Sequence, residues 1–259
     1  YAGTKGVEII PLINSPGHMD AILDAMGELG LPNVAYSLNG QSSERTIDVT
    51  NSTATAFTQA LLKKYIAYFA EQGCTLFNMG ADEYGNDING TPHFSDLIRG
   101  DGYDDYITYL NAVAGMIETA GMTPMAFNDG IYYNNSVGYG TINTNILVCY
   151  WSNGWSGYNL ATAGYLKEQG FKLINTNGDY YWIVGGNQIT ASKAAQFDKT
   201  SFPKQGGNEI ISDPTGSMFC IWSDSPQAQT DSSVASSVSA VISAFGNTLP
   251  ETTQSAAHV

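Results

Sequence analysis

The sequence predicts an α/β fold of the (β/α)₈ barrel type, and three observations carry that expectation. Apolar runs of strand length alternate with helix-length segments in six strand-helix units, and strands separated by helices pair in parallel through right-handed crossovers. Nearly every run also ends in a residue able to handle a ligand: Asn14 and His18, Asp82 and Glu83, Asn128 and Asp129, Trp151, Asn175 to Tyr181, and Trp222 with Asp224. A doubly wound open sheet matches the same alternation but would carry such groups only at its switch point, whereas all strand ends of a barrel converge on one face. Third, no glycine-rich phosphate fingerprint opens a helix, and neither HExxH nor a paired CxxC occurs. Nucleotide and zinc readings therefore lack support, and neither cofactor nor metal is expected.

In chain order, Tyr1 to Lys5 reads as the tail of a helix and Gly6 to Asn14 as a strand. Ser15-Pro16-Gly17-His18 is a turn, and Met19 to Leu29 carries Ile22, Leu23, Met26 and Leu29 at helical spacing. Pro32 to Thr46 reads as an irregular loop. Asn51 to Gln72 is the most regular helix, with apolar residues three and four apart and Gly73 at its stop. Cys74 to Gly80 is a strand, Tyr84 to Asp101 a polar loop, and Tyr103 to Ala120 a second long helix. Strands are then expected at Thr123–Asn128, Ile146–Trp151, Phe171–Thr176 and Gly216–Trp222, with helices at Ala161–Gln169 and Ser232–Phe245. No low-complexity linker interrupts the series, so residues 1–259 are expected to form one domain.

The chain of 259 residues, 43% hydrophobic and 12% aromatic, is long enough for one large core. Its formal charge of −14, with only 10 Lys and Arg, argues against nucleic acid or an anionic membrane as partner, because both need clustered cations. A neutral ligand such as a sugar suits it. No apolar run of about twenty residues appears, so no transmembrane segment is expected. The first residue is Tyr1 rather than Met, which leads us to expect a processed or excised piece. Cys74, Cys149 and Cys220 are far apart and sit in or beside apolar runs, as buried thiols do. The abundance of Gly, Asn, Ser and Tyr is compatible with a secreted bacterial carbohydrate enzyme.

The chain is organised around Cys74 to Tyr84, an apolar run ending in Gly80, Ala81 and two adjacent acids, Asp82 and Glu83. From the residues alone, the pair is either a surface turn or a catalytic pair at a strand end.

Five motifs together narrow this choice: Asn14-Ser15-Pro16-Gly17-His18-Met19-Asp20, Asn78-Met79-Gly80-Ala81-Asp82-Glu83-Tyr84, Met125-Ala126-Phe127-Asn128-Asp129-Gly130, Tyr150-Trp151-Ser152-Asn153-Gly154-Trp155 and Ile221-Trp222-Ser223-Asp224. Each is short, but the set, in order and at strand ends, resembles glycoside hydrolase family 20, and within it the branch of bacterial, often surface-anchored, β-N-acetylhexosaminidases. The resemblance covers nearly the whole chain. It implies retaining, exo-acting removal of terminal β-linked GlcNAc or GalNAc by substrate-assisted catalysis, in which the 2-acetamido carbonyl oxygen attacks the anomeric carbon and gives an oxazolinium intermediate. The implied partner is a glycan ending in N-acetylhexosamine, and the implied location is secreted or attached to the surface of a bacterial cell.

The resemblance also implies roles. Glu83 would be the acid/base and Asp82 would orient the acetamido N–H and offset the developing positive charge. His18 would couple to the acid/base residue, and Tyr181, beside Tyr180, would hydrogen-bond the acetamido carbonyl. Trp151 and Trp222 would wall the acetamido methyl and sugar face, Asp224 would bind hydroxyls at the far edge, Asn128 and Asp129 would line the pocket, and Trp155 would offer a leaving-group platform. Asn14 stands where other members often carry an aspartate. The family barrel has two further N-terminal strand-helix units, the first with an arginine that grips the sugar, so a partial barrel lacking them is expected. A lacto-N-biosidase releasing a disaccharide and a non-catalytic carbohydrate-binding fragment are the alternative functions.

Overall fold

The structure is a computed structural model that describes residues 1–90, 92–155 and 158–249. Its central element is a six-stranded sheet. The strands are β1 (Leu12–Ser15), β2 (Leu76–Gly80), β3 (Thr123–Phe127), β4 (Leu147–Tyr150), β5 (Lys172–Asn175) and β6 (Gly216–Ser217). They lie side by side in the order in which they occur in sequence. The β1/β2, β2/β3 and β5/β6 pairings are parallel. A doubly wound sheet reverses its strand order at a switch point. This one does not, which is the progression of a barrel wall, and the fold is a partial TIM-barrel-like α/β structure.

The helices are α1 (Asp20–Glu28), α2 (Ser52–Glu71), α3 (Phe94–Arg99), α4 (Tyr103–Thr119), α5 (Ala163–Glu168), α6 (Ala191–Ala194) and α7 (Asp231–Gly246). The starts of α2, α5, α6 and α7 are set by side-chain caps that satisfy otherwise orphaned amides. Asn51 Oδ1 accepts from the N–H groups of Thr53 and Ala54 ahead of α2, and Thr162 and Thr230 do the same for α5 and α7.

By compactness the chain forms two units, Ile9–Val148 with Asn153–Lys172, and Tyr1–Glu8 with Cys149–Ser152 and Leu173–Val259. In the first, Leu62 and Ile66 of α2, Leu110, Val113 and Ile117 of α4 and Phe77 and Met79 of β2 are buried. In the second, the core gathers Trp182, Ile189, Ala194, Phe197, Val241 and Phe245.

The structure corrects four local expectations. The 32–46 loop holds an antiparallel hairpin, Ala35–Leu38 with Gln41–Ile47. The 84–101 loop contains α3. Residues 216–222 are two short strands, because Ile221–Trp222 leaves the sheet and pairs in parallel with Trp182–Ile183. At the N-terminus, only Leu12–Ser15 of the expected 6–14 strand pairs, and the preceding helical piece is the 3-10 turn Gly3–Lys5. The three cysteines carry thiols.

Candidate active site

The first unit brings together His18, Asp82 and Glu83. In a regular strand, adjacent side chains point to opposite faces, so Asp82 and Glu83 can share one site only if the backbone departs from extended geometry. It does so over four residues. Gly80, Ala81 and Glu83 have φ of 73°, 64° and 50°, and His18, on the facing turn, has φ of 55°. Left-handed backbone at a non-glycine residue is uncommon and costs on the order of 1–3 kcal/mol, so the surroundings must hold it in place.

Those surroundings are specific. The Ala81 N–H donates to Ser15 O at 3.1 Å, and Ala81 O accepts from the Tyr106 hydroxyl at 3.1 Å. The Glu83 N–H donates to Asp129 Oδ2 at 2.7 Å. Tyr84, fully buried, anchors the end of the acid pair, with its ring 4.8 Å from Tyr36 and 5.6 Å from Phe94 and its hydroxyl accepting from Val49 N. Gly80 is required twice over: besides its positive φ, a Cβ there would lie 2.2 Å from Asn14 Oδ1. Gly17 has a similar role, since a Cβ would fall 2.8 Å from Asp82 O and push the His18 turn away.

The resulting geometry places His18 Nε2 3.3 Å from Glu83 Oε2 and 3.6 Å from Asp82 Oδ2. Asn86 Nδ2 donates to Glu83 Oε2 at 2.7 Å. The Asp82 side chain is 14% exposed, and its Oδ1 is buried with no hydrogen-bond partner among the described residues. Burial, resisted by the His18 charge and reinforced by that of Glu83, pushes its carboxyl up to about 6. For His18, burial acts to lower the pKa. The hydrogen bond to Glu83 and the charges of both acids outweigh that, against Arg45, and the net direction is upward. Asp82 and His18 are thus both shifted toward holding a proton, as groups in acid/base sites often are. The same three side chains are also, among the described residues, the one group whose ligand atoms, all within 4.8 Å of one another, could surround a cation.

Asn128 and Asp129 are fully buried, and Asp129 supports Glu83 from below. The hydroxyls of Tyr133 and Tyr158 donate to Asp129 O at 2.8 and 3.0 Å, which fixes the turn after β3. Trp155 lies half-buried on the Gly154–Trp155/Tyr158–Asn159 hairpin, its ring 5.5 Å from Tyr158.

The second unit gathers three of the remaining expected residues. Trp151 follows β4 and stacks on Tyr181 at 6.2 Å and 10° between planes, and Trp222 meets Tyr181 edge-on at 6.0 Å. Gly178 permits this approach: its N–H donates to Trp151 O at 2.9 Å, and a Cβ would lie 3.2 Å from the indole. The Tyr181 hydroxyl sits 3.3 Å from Thr176 Oγ1, and burial raises its pKa well above the ordinary tyrosine range, so it stays a neutral donor. Its neighbour Tyr180 instead packs on Phe197 and donates to Gln196 O. Asp224 is exposed.

Sequence reading missed Asn86, Tyr106 and Arg45. Asn86 and Tyr106 act through loop and helix contacts that leave no local pattern. Arg45 did leave one, as the sole Lys or Arg between Lys5 and Lys63.

The lacto-N-biosidase of Bifidobacterium bifidum is 26% identical over 247 residues, covering 90% of this chain and 21% of that protein. A structure of the tandem GH20 catalytic modules of the pneumococcal exo-β-D-N-acetylglucosaminidase StrH is similar at TM-score 0.87 and 36% identity, over 96% of this chain and 61% of that one. A second StrH structure, from work on inhibition of this pneumococcal virulence factor and on N-glycan recognition and hydrolysis, gives TM-score 0.83 and 33% identity over 96% and 60%. The chain therefore spans about a fifth of the lacto-N-biosidase and about three-fifths of the pneumococcal chains. Residues 1–247 match the pattern described as glycosyl hydrolase family 20, catalytic domain, and the chain belongs to that family.

Proposed function

We propose that this chain is catalytic machinery of a retaining exo-β-N-acetylhexosaminidase that removes terminal β-linked GlcNAc or GalNAc from glycans through an oxazolinium intermediate. One observation carries the reading: adjacent Asp82 and Glu83, turned to one side by left-handed backbone, both lie within 3.6 Å of His18 Nε2. Two carboxyls that both serve one reacting centre fit a division of labour. Glu83, 26% exposed and hydrogen-bonded by Asn86, protonates the leaving oxygen and then takes a proton from water. Asp82, more buried, accepts the acetamido N–H and offsets the charge that develops on the ring. Its Oδ1, without a partner, is the acceptor that such an N–H would fill. His18 bridges the two acids and sets how their protons are shared.

The remaining roles rest on the family resemblance together with residue chemistry. Trp151, Tyr181 and Trp222 offer an aromatic surface of the kind that packs a sugar face or an acetamido methyl, with the Tyr181 hydroxyl as a neutral donor. Asp224, exposed, is available to hydroxyls, and Trp155 to a leaving group. Asp129 contributes from within the fold, by holding the Glu83 amide in place, and Asn128 is buried next to it in the same turn. The family pattern over residues 1–247 and the pneumococcal similarity support GlcNAc as the substrate sugar. They also favour a secreted or cell-surface bacterial setting, with the chain forming part of one barrel domain.

A second reading, release of a disaccharide, is favoured by the similarity to the bifidobacterial lacto-N-biosidase. Parallel hydrolysis of chromogenic β-GlcNAc and β-lacto-N-bioside separates the two. Turnover of the first supports the proposal, and turnover of the second alone replaces it.

A further inference from the structure

We propose that Arg45 is a substrate-binding residue whose guanidinium donates to neutral hydroxyl oxygens of the sugar held at Asp82 and Glu83. The proposal rests on the hydrolase reading above. Arg45 lies in the Gln41–Ile47 strand, which ties the two loops of the acid cluster together. Arg45 O accepts from Met19 N at 2.7 Å and Ile47 N donates to Pro16 O at 3.0 Å, flanking His18. On the other loop, Thr46 Oγ1 accepts from Gly85 N at 3.1 Å and Ser43 Oγ donates to Asp87 Oδ1 at 2.7 Å, just past Glu83.

The half-buried side chain held in this position keeps one donor unmatched: among the described residues Arg45 Nε is buried with no hydrogen-bond partner and the guanidinium forms no ion pair, although the chain carries 24 acidic residues. Leaving a buried charged donor unpaired is costly, and guanidinium has five N–H donors in a fixed fork. Its charge is felt at His18, where it opposes protonation. An anionic ligand would meet repulsion from Asp82 and Glu83, so vicinal hydroxyls of an uncharged sugar are the chemistry that fits.

The experiment compares wild type, Arg45→Lys and Arg45→Met in kinetics on a chromogenic β-GlcNAc glycoside and in calorimetric binding of free GlcNAc, with circular dichroism to verify folding. The expected result is a KM and a GlcNAc Kd raised about tenfold or more in Arg45→Met, in line with loss of a charged hydrogen bond. Partial recovery is expected in Arg45→Lys, with kcat at the pH optimum preserved in both; the pH profile is retained in Arg45→Lys, which keeps the charge, and moves upward in Arg45→Met, which relieves His18 of it. Unchanged KM and Kd overturn the inference, as does a shifted pH profile with KM intact, which would assign Arg45 to tuning His18. Wild type that binds GlcNAc in an Arg45-dependent manner without turning over the glycoside leaves the inference standing and removes the hydrolase reading. Wild type that does not bind GlcNAc overturns the inference.

Discussion

Replacing Asp82 by Asn is expected to make the protein more stable at neutral pH while removing its chemistry. Asp82 is pushed from an ordinary 3.8 to about 6, chiefly by burial. A carboxyl whose folded pKa is raised binds its proton more tightly in the folded than in the unfolded chain. Between about pH 4 and 6 the folded state thus holds the extra proton, and stability falls as pH rises through that window. The rise from 3.8 to about 6 corresponds to about 3 kcal/mol, a figure that already contains the attraction of His18. Asparagine keeps the shape and has no proton to lose. The difference in unfolding free energy between Asp82→Asn and wild type should therefore be small at pH 4 and grow to about 3 kcal/mol in favour of the variant at pH 8. Urea unfolding at the two pH values measures it. A variant that is no more stable at pH 8, or a difference that does not change with pH, would refute the assignment of a buried, destabilised carboxylate.

Substitutions at three further positions probe the same cluster. Glu83→Gln should lower kcat by about 10²–10⁴-fold with KM little changed, because the amide keeps the contact with Asn86 but cannot deliver a proton; steady-state kinetics reads this directly. Gly80→Ala should cost about 2–4 kcal/mol in chemical denaturation, since the new methyl meets both a positive φ and Asn14 Oδ1. Asp129→Ala removes the acceptor of the Glu83 N–H and should lower kcat more than it raises KM, while Asp129→Asn, which retains an acceptor oxygen, should recover much of the loss.

What was legible in the sequence was local. Helices α2, α4 and α7 carry apolar residues at helical spacing, and α2 and α7 also start at capping side chains, so their limits were readable to within a residue or two. The order of the sheet followed from the alternation because sequential strands stay neighbours in a barrel. The Ala35–Leu38/Gln41–Ile47 hairpin escaped notice because its second strand, Gln41-Ser42-Ser43-Glu44-Arg45-Thr46-Ile47, is largely polar. Its one signal was the Asn39-Gly40 pair, with φ of 51° and 80° at the two turn residues. Helix α3, six residues long, is too short for a periodic pattern. The split of residues 216–222 depends on a pairing with Trp182–Ile183, a partner far away in sequence.

The acid pair itself was readable as a motif, whereas the backbone that turns both acids to one side was not. No propensity places Ala81 and Glu83 in left-handed backbone, and that conformation exists only because Ser15, Tyr106 and Asp129 over-determine it. The role of Asp129 as a buried support is likewise a product of packing between turns that are distant in sequence.

In the proposed reaction the substrate's own acetamido group acts as nucleophile beside Asp82 and Glu83. Hydrolysis rates for chromogenic β-GlcNAc glycosides bearing zero to three fluorines on the acetyl methyl test this most directly, because each fluorine weakens the carbonyl oxygen as a nucleophile without altering the leaving group. A steep, monotonic fall in kcat/KM across the series is the predicted result. A flat series, or no turnover of the parent glycoside, would contradict the account.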